Sequence, residues 1–172
     1  MRRKYSYILL GNGDIGKTTF QKYLLEIVAG KSYTKLSTGR VHSICLRSGL
    51  KNYEKIFVLG RSWQEIKERF RKVADLFTRS EGGDESDIAI LSSHLVAQDI
   101  MDIINEAKLN LYKCIGVVFS NAYEKSETKF KDILELPWTE IVRIENPTVQ
   151  DESWKENLFN EAIEFSNYIL NK

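Results

Sequence analysis

The segment between residues 7 and 20 places glycines, a lysine and two hydroxyls at a spacing suited to binding phosphate. It reads YILLGNGDIGKTTF, so a short apolar run passes through glycines into a helical pattern. Glycines let successive backbone N–H groups turn inward around an anion, and the positive end of the following helix dipole points at the same place. Lys17 is placed to reach the β- and γ-phosphates of a nucleotide, and the Thr18 hydroxyl to bind magnesium.

This loop has the pattern G-x-x-x-x-G-K-T and resembles the Walker A motif of the P-loop NTPases. The resemblance covers the chain to about residue 29 and implies a site for a nucleoside triphosphate with Mg²⁺. The alternative is a glycine turn between a strand and a helix that only happens to end in Gly-Lys-Thr. The predicted nucleotide-binding residues are Gly11, Asn12, Gly13, Asp14, Ile15, Gly16, Lys17, Thr18, Thr19 and, from a later segment, Asn121.

Length, composition and charge limit the classes of protein to which the chain can belong. With 172 residues, 42% of them hydrophobic, the chain suits a single domain over residues 1–172. A formal net charge of +1 and 28% charged residues do not indicate a nucleic-acid or membrane partner. The apolar run after the basic N-terminus is too short for a signal peptide. Cys45 and Cys114 lie in apolar runs and are predicted to be buried, reduced thiols, which favours a cytoplasmic protein.

Strand and helix patterns alternate along the chain. Strands are predicted near residues 41–46, 53–59, 87–91, 114–119 and 140–144, and helices near 20–28, 62–77, 96–107, 130–136 and 154–169. The short link at 47–52 predicts an antiparallel hairpin. The expected architecture is an α/β three-layer sandwich, a mostly parallel sheet of about six strands with helices on both faces. The hairpin after the first helix resembles the element order of the small Ras-like GTPases.

Two motifs expected of a small GTPase are degenerate. In place of D-x-x-G the chain has Gly60-Arg61-Ser62-Trp63, and in place of N-K-x-D it has Asn121-Ala122-Tyr123-Glu124. The second segment keeps an asparagine and an acid but lacks the lysine that packs on the base. We therefore expect ATP to be used in preference to GTP.

Residues at other strand ends are candidates for contact with the γ-phosphate. Arg61 follows an apolar run and would stabilise charge on a transferring phosphoryl group. The segment 90–95 resembles the strand-end histidine switch of transporter-type ATPases. In the alternative, Ser92 or Ser93 caps the next helix and His94 bonds a neighbour. The predicted catalytic residues are Lys17, Arg61, Ser93 and His94.

The apolar runs at 57–60 and 90–93 do not end in an acid that would serve a magnesium ion. Thr18 is therefore the predicted metal ligand, with water and an acid from elsewhere. Glu65 and Asp99 are the candidates for that acid. A capping box from Ser62 to Glu65 and the helix dipole at Asp99 are equally good explanations of these two residues.

The leading hypothesis is a Mg²⁺-dependent P-loop NTPase that binds and slowly hydrolyses ATP. One alternative is a nucleotide or small-molecule kinase. The other is a non-catalytic, degenerate GTPase-like module that engages a protein partner when segments 32–40 and 79–87 respond to the bound nucleotide. The missing catalytic acid favours this last alternative.

Overall fold

The computed structural model of the chain describes residues 3–45, 53–70, 72–78, 85–146 and 153–172. The strands in these segments are β1 (Lys4–Leu10), β2 (Thr38–Ser43), β3 (Lys55–Ser62), β4 (Ile88–Ser93), β5 (Tyr112–Phe119) and β6 (Glu140–Ile144). The helices are α1 (Lys17–Ala29), α2 (Trp63–Ile66), α3 (Ala74–Thr78), α4 (Ala97–Leu109), α5 (Ser120–Leu134) and α6 (Trp154–Leu170). The predicted hairpin turn at 47–52 and most of the segment 79–87 lie outside the described residues.

The six strands form one mixed, mostly parallel sheet in the order β2-β3-β4-β1-β5-β6. β2 pairs with β3 in antiparallel register, which confirms the predicted hairpin, and the other pairs are parallel. β1 lies in the middle, between β4 and β5. Buried on both faces, it reads as an almost continuous apolar run. The carboxyl ends of β1 and of the strands parallel to it therefore share one edge of the sheet.

Helices cover both faces of this sheet. On one face Phe20 of α1 packs against Phe165 of α6 with ring centroids 5.4 Å apart, and Tyr7 of β1 lies 5.3 Å from the same ring. On the other face the Cys114 thiol of β5 contacts the Ile104 carbonyl of α4 at 3.6 Å. This α/β arrangement agrees with the predicted class and is compatible with three layers.

The continuous helix predicted over 62–77 is wrong. The chain instead forms the short helices α2 and α3, joined by turns in which Arg69 N–H donates to the Ile66 carbonyl at 2.8 Å. The rings of Trp63 and Phe70 lie 6.2 Å apart. The helical pattern is thus interrupted by backbone turns, beside which these two rings pack together.

The two cysteines have different environments. Cys114 is buried as predicted, and burial raises the pKa of its thiol to about 11. The prediction for Cys45 is wrong, because this residue follows the end of β2 and is exposed. Among the described residues, no helix combines the length and apolar character needed to cross a membrane.

Candidate nucleotide-binding site

The loop between β1 and α1 has a backbone conformation that its glycines make possible. Gly11, Asp14 and Gly16 have φ angles of 153°, 60° and 93°. A β-carbon on Gly11 would lie 2.0 Å from Ile15 Cδ1, and one on Gly16 would lie 3.0 Å from Asn146 Nδ2. Asp14 is the kind of non-glycine residue that tolerates a left-handed conformation. The loop is therefore wound tightly around the first turn of α1.

The N-terminus of α1 is left open toward solvent. Gly16 occupies the N-cap position and contributes no side-chain capping bond, and the first turn of this described helix contains no acidic residue. The first N–H groups of a helix lack partners within the helix, and the helix dipole gives them a partial positive charge. An uncapped helix start beneath a glycine loop has the charge and the donors to hold an anion.

Lys17 is folded into this loop. Its side chain is only 8% exposed, and its ammonium donates to the carbonyls of Gly11 and, at 2.9 Å, of Asn12. An ammonium has three donors, so one remains for an anion. Burial lowers the pKa of Lys17 to about 8, and the carboxylates of Glu65 and Asp14 act in the opposite direction. The lysine is thus a pre-positioned but poorly solvated cation.

A cleft of about 860 Å³ opens above the loop and the start of α1. The predicted binding residues that line it are Gly13, Asp14, Ile15, Gly16, Lys17, Thr18 and Thr19. The remaining lining residues are Lys22, Thr34, Lys35, Leu36, Gly60, Arg61, Ser62, Glu65, Ser92 and Trp154. The cleft therefore joins the phosphate loop to the end of β3, the segment before β2 and the start of α6.

Of the predicted catalytic and metal-binding residues, the structure brings Lys17, Thr18 and Arg61 together in this cleft. The side chains of Thr18 and Arg61 are exposed there. Gly11 and Asn12 belong to the loop but do not line the cleft. Asn12 Oδ1 accepts a hydrogen bond of 3.2 Å from Leu95 N–H. Asn12 thus ties the phosphate loop to the chain that leaves β4.

Ser93 and His94 do not line the cleft. Ser93 is fully buried, and its Oγ accepts a hydrogen bond of 3.0 Å from Gln64 Nε2. Gln64 also donates to Asp99 at 2.9 Å and accepts from the backbone N–H of His94 at 2.8 Å. Ser93 Oγ itself donates to the His94 carbonyl. This network, which the sequence did not predict, binds α2 to the end of β4 and to α4.

The imidazole of His94 does not line the cleft itself but lies against Glu65, which does. Its Nε2 lies 3.3 Å from Glu65 Oε1, too poorly aligned for a hydrogen bond but close enough for an ion pair when the ring is protonated. Ser62 forms no side-chain capping bond to α2, so the capping box does not account for Glu65. Of the two acids considered from sequence, Glu65 lines the cleft, whereas Asp99 is engaged by Gln64.

Two asparagines that follow distant strand ends hold the loop by hydrogen bonds to its backbone. Asn146 Nδ2 donates to the Ile15 carbonyl at 2.6 Å, and Asn121 Nδ2 approaches the same oxygen at 3.4 Å. Both side chains are about 1% exposed. Asn121 therefore contacts the loop backbone rather than the lining of the cleft. Ser120 joins the pair, because its Oγ donates to the Asn146 carbonyl and accepts from the Asn146 N–H.

Sequence reasoning missed Gln64, Asn146 and Trp154. Asn146 stands two residues after the end of β6, so the strand-end rule that selected Arg61 and Ser93 would have found it. Trp154 was assigned only to the apolar face of the last helix. Its indole N–H donates to Asn146 Oδ1 at 2.7 Å, and its ring faces Gly16 across the cleft wall.

Comparison of the chain with models of known protein families found no match, and comparison with curated proteins likewise found none.

Proposed function

We propose that the protein binds a nucleoside triphosphate with Mg²⁺ at the loop between β1 and α1, as a member of the P-loop NTPases with their three-layer sandwich fold. The observation that carries this proposal is the conformation of the loop. Positive φ angles at Gly11, Asp14 and Gly16 wind the backbone over an uncapped helix N-terminus, beside a buried lysine. This combination supplies N–H donors and positive charge at one point, as a chain of phosphates requires.

Three side chains are suited to different parts of the ligand. Lys17 retains one ammonium donor for the terminal phosphates after bonding the two loop carbonyls. The exposed Thr18 hydroxyl is suited to Mg²⁺, which often keeps several waters and takes its other ligands from substrate phosphates. Arg61 is exposed within the same cleft and is placed to stabilise charge on the transferring phosphoryl group.

The donor set suits a metal that arrives with the nucleotide. Among the described residues there is no group of three or more His, Cys, Asp or Glu side chains able to hold a metal ion alone. Thr18 and Glu65 nevertheless face the same cleft. Mg²⁺ bound there would neutralise phosphate charge, while Glu65 would hold a water or a metal-bound water in place.

We infer that the reaction is slow hydrolysis of ATP. ATP is preferred over GTP because Ala122, packed against the loop near Gly11, stands where a lysine would contact guanine. A module that binds nucleotide without hydrolysing it is the second candidate. It is favoured by the residues at the end of β3, Gly60-Arg61-Ser62, which include no carboxylate.

Replacement of Lys17 tests the nucleotide site. We expect Lys17→Ala to weaken binding of Mg-ATP by about 10- to 100-fold, because a charged hydrogen bond to phosphate is lost. Calorimetric titration with Mg-ATP and Mg-GTP measures this, and Lys113→Ala, at an exposed position on β5, is the matched control. Unchanged affinity in a folded Lys17→Ala protein would exclude the proposed site. Measurement of phosphate release by the wild-type protein then distinguishes a hydrolase from a module that binds nucleotide without hydrolysing it.

A further inference from the structure

We propose that Trp154 is the platform on which the nucleotide base stacks, so that the ligand lies with its base toward α6 and its terminal phosphate toward Arg61. This inference rests on the proposed function and adds to it a residue that determines affinity for the base. Trp154 is the only aromatic residue among the described residues that line the cleft. A flat aromatic ring is the side chain that binds any nucleobase by its face.

The position of Trp154 fits this role. A β-carbon on Gly16 would lie 3.2 Å from Trp154 Cζ2, so the indole lies directly beside the start of α1. Arg61 and Glu65 enter the same cleft from the end of β3. An elongated ligand can therefore contact both ends of the cleft while its phosphates cross the helix N-terminus.

The indole is also held in a fixed orientation. Its N–H donates to Asn146 Oδ1 at 2.7 Å, and Asn146 is itself bound to the Ile15 carbonyl and to Ser120. The polar edge of the ring is thus satisfied within the protein, and the half-buried ring keeps surface in the cleft. Little side-chain entropy remains to be lost when a base stacks on a ring already fixed in place.

The sequence offers a reason why the chain needs such a platform. The lysine expected to pack on a guanine base is replaced by Ala122, which is buried against the loop. A stacking tryptophan restores a hydrophobic contact without reading hydrogen-bonding groups of the base. Stacking by Trp154 therefore contributes affinity for a purine, whereas the phosphates are held by the loop.

The test compares Mg-ATP with inorganic tripolyphosphate, which carries the phosphates without a base. We expect Trp154→Ala to weaken ATP binding about tenfold or more and to leave tripolyphosphate affinity within twofold. Trp154→Phe should retain most of the ATP affinity. Phe159→Ala, at a half-buried aromatic residue of α6 outside the cleft, should change the affinity for neither ligand. ATP should also quench tryptophan emission in the wild type but not in Trp154→Phe.

Two different failures are distinguishable in this experiment. If the wild-type protein binds neither ligand, the proposed function itself is wrong. If it binds both, and Trp154→Ala weakens both equally or neither, the phosphate site stands and the stacking role is overturned. Should Trp154→Ala fail to fold, Trp154→Leu, which keeps an apolar side chain without an aromatic face, is expected to show the same selective loss of ATP affinity. The quenching comparison uses only wild type and Trp154→Phe, and equal quenching in both would also overturn the proposal.

Discussion

The carboxylate of Glu65 lies in the cleft, where it is able to accept a proton from water and to interact with the charge of Lys17. It and Asp14 are the acidic residues among the described lining of the cleft. Its charge acts to raise the pKa of Lys17 against the effect of burial, so the two groups interact electrostatically. His94 lies 3.3 Å from the Glu65 carboxylate on the side away from the lining. On the proposed function, we therefore expect His94 to position Glu65 rather than to contact the γ-phosphate directly.

We expect Glu65→Gln to lower single-turnover hydrolysis of ATP by about 10²-fold, because an amide cannot accept a proton from the attacking water. Affinity for Mg-ATP should change only a few-fold, since Lys17 and the loop remain. Glu68→Gln, at an exposed residue three positions later, is the control and should hydrolyse at the wild-type rate. Hydrolysis at an undiminished rate in folded Glu65→Gln would remove this carboxylate from the reaction.

At the residue scale, the conformation of the loop between β1 and α1 could be predicted because it is local. The φ angles of Gly11 and Gly16, the start of α1 and the place of Lys17 all follow from ten consecutive residues. The partners of this loop could not be found in the same way. Asn146 lies 131 residues from Ile15 in sequence, and only the pairing of β6 with β5 brings them together.

At the scale of elements, the loop rests on the ends of β5 and β6. The Ile15 carbonyl faces the amide of Asn146, whose oxygen in turn fixes the Trp154 indole. Gly11 N–H donates to the Ser93 carbonyl at 3.2 Å, which joins the loop to β4 as well. The loop conformation therefore depends on the register of three neighbouring strands as well as on its own glycines.

Removal of the Asn146 side chain should loosen this support. We expect Asn146→Ala to lower the free energy of unfolding by about 2 kcal/mol, because the Ile15 carbonyl and the Trp154 N–H lose a buried partner. Affinity for Mg-ATP should fall as well. Asn157→Ala, at an exposed asparagine of α6, is the control for both measurements. Chemical denaturation that showed equal stability for the two variants would contradict the role assigned to Asn146.

Elements with strong patterns and simple surroundings were predicted well, and the region after β3 was not. β4, α4 and α6 lie close to their predicted positions because each buries one clear apolar run or stripe, and β6 does so although only Ile144 of it is buried. Over 62–77 a helical stripe is present, but the described residues form two short helices with turns between them. Helix propensity differs by only about 1 kcal/mol per residue, so an apolar stripe alone does not decide whether the helix is continuous.

At the scale of the whole molecule, the site joins elements from both ends of the sheet. The phosphate loop lies at its centre, Trp154 on the side of β6, and Arg61 and Glu65 on the side of β3. The segment before β2 closes the remaining side, with Thr34, Lys35 and Leu36 in the lining. A ligand bound at the centre would therefore contact the β6 side of the site with one end and the β3 side with the other. These two sides can respond differently to the ligand.

On the proposed function, the segment 32–40 is the part that we expect to respond to the terminal phosphate. Lys22 of α1 donates to the Thr34 carbonyl at 2.5 Å, so the segment is tied to the helix that carries the phosphate site. A β-carbon on Gly60 would lie 2.7 Å from both Leu36 Cβ and the Ser37 carbonyl oxygen, so the same segment packs directly on β3 beside Arg61. Its order should therefore depend on charge near Lys35 and Arg61.

We expect backbone amides in 32–40 to exchange hydrogen at least about tenfold more slowly with a non-hydrolysable Mg-triphosphate nucleotide than with the diphosphate, as about 1.4 kcal/mol of added local stability would produce. Hydrogen-exchange mass spectrometry measures this, and the amides of α4, which lie away from the cleft lining, serve as the internal control. Arg61→Gln should reduce the difference, because its charge would no longer draw the phosphate toward the segment. Equal protection with both nucleotides would remove this segment as a sensor of the γ-phosphate and leave the nucleotide site without a conformational output there.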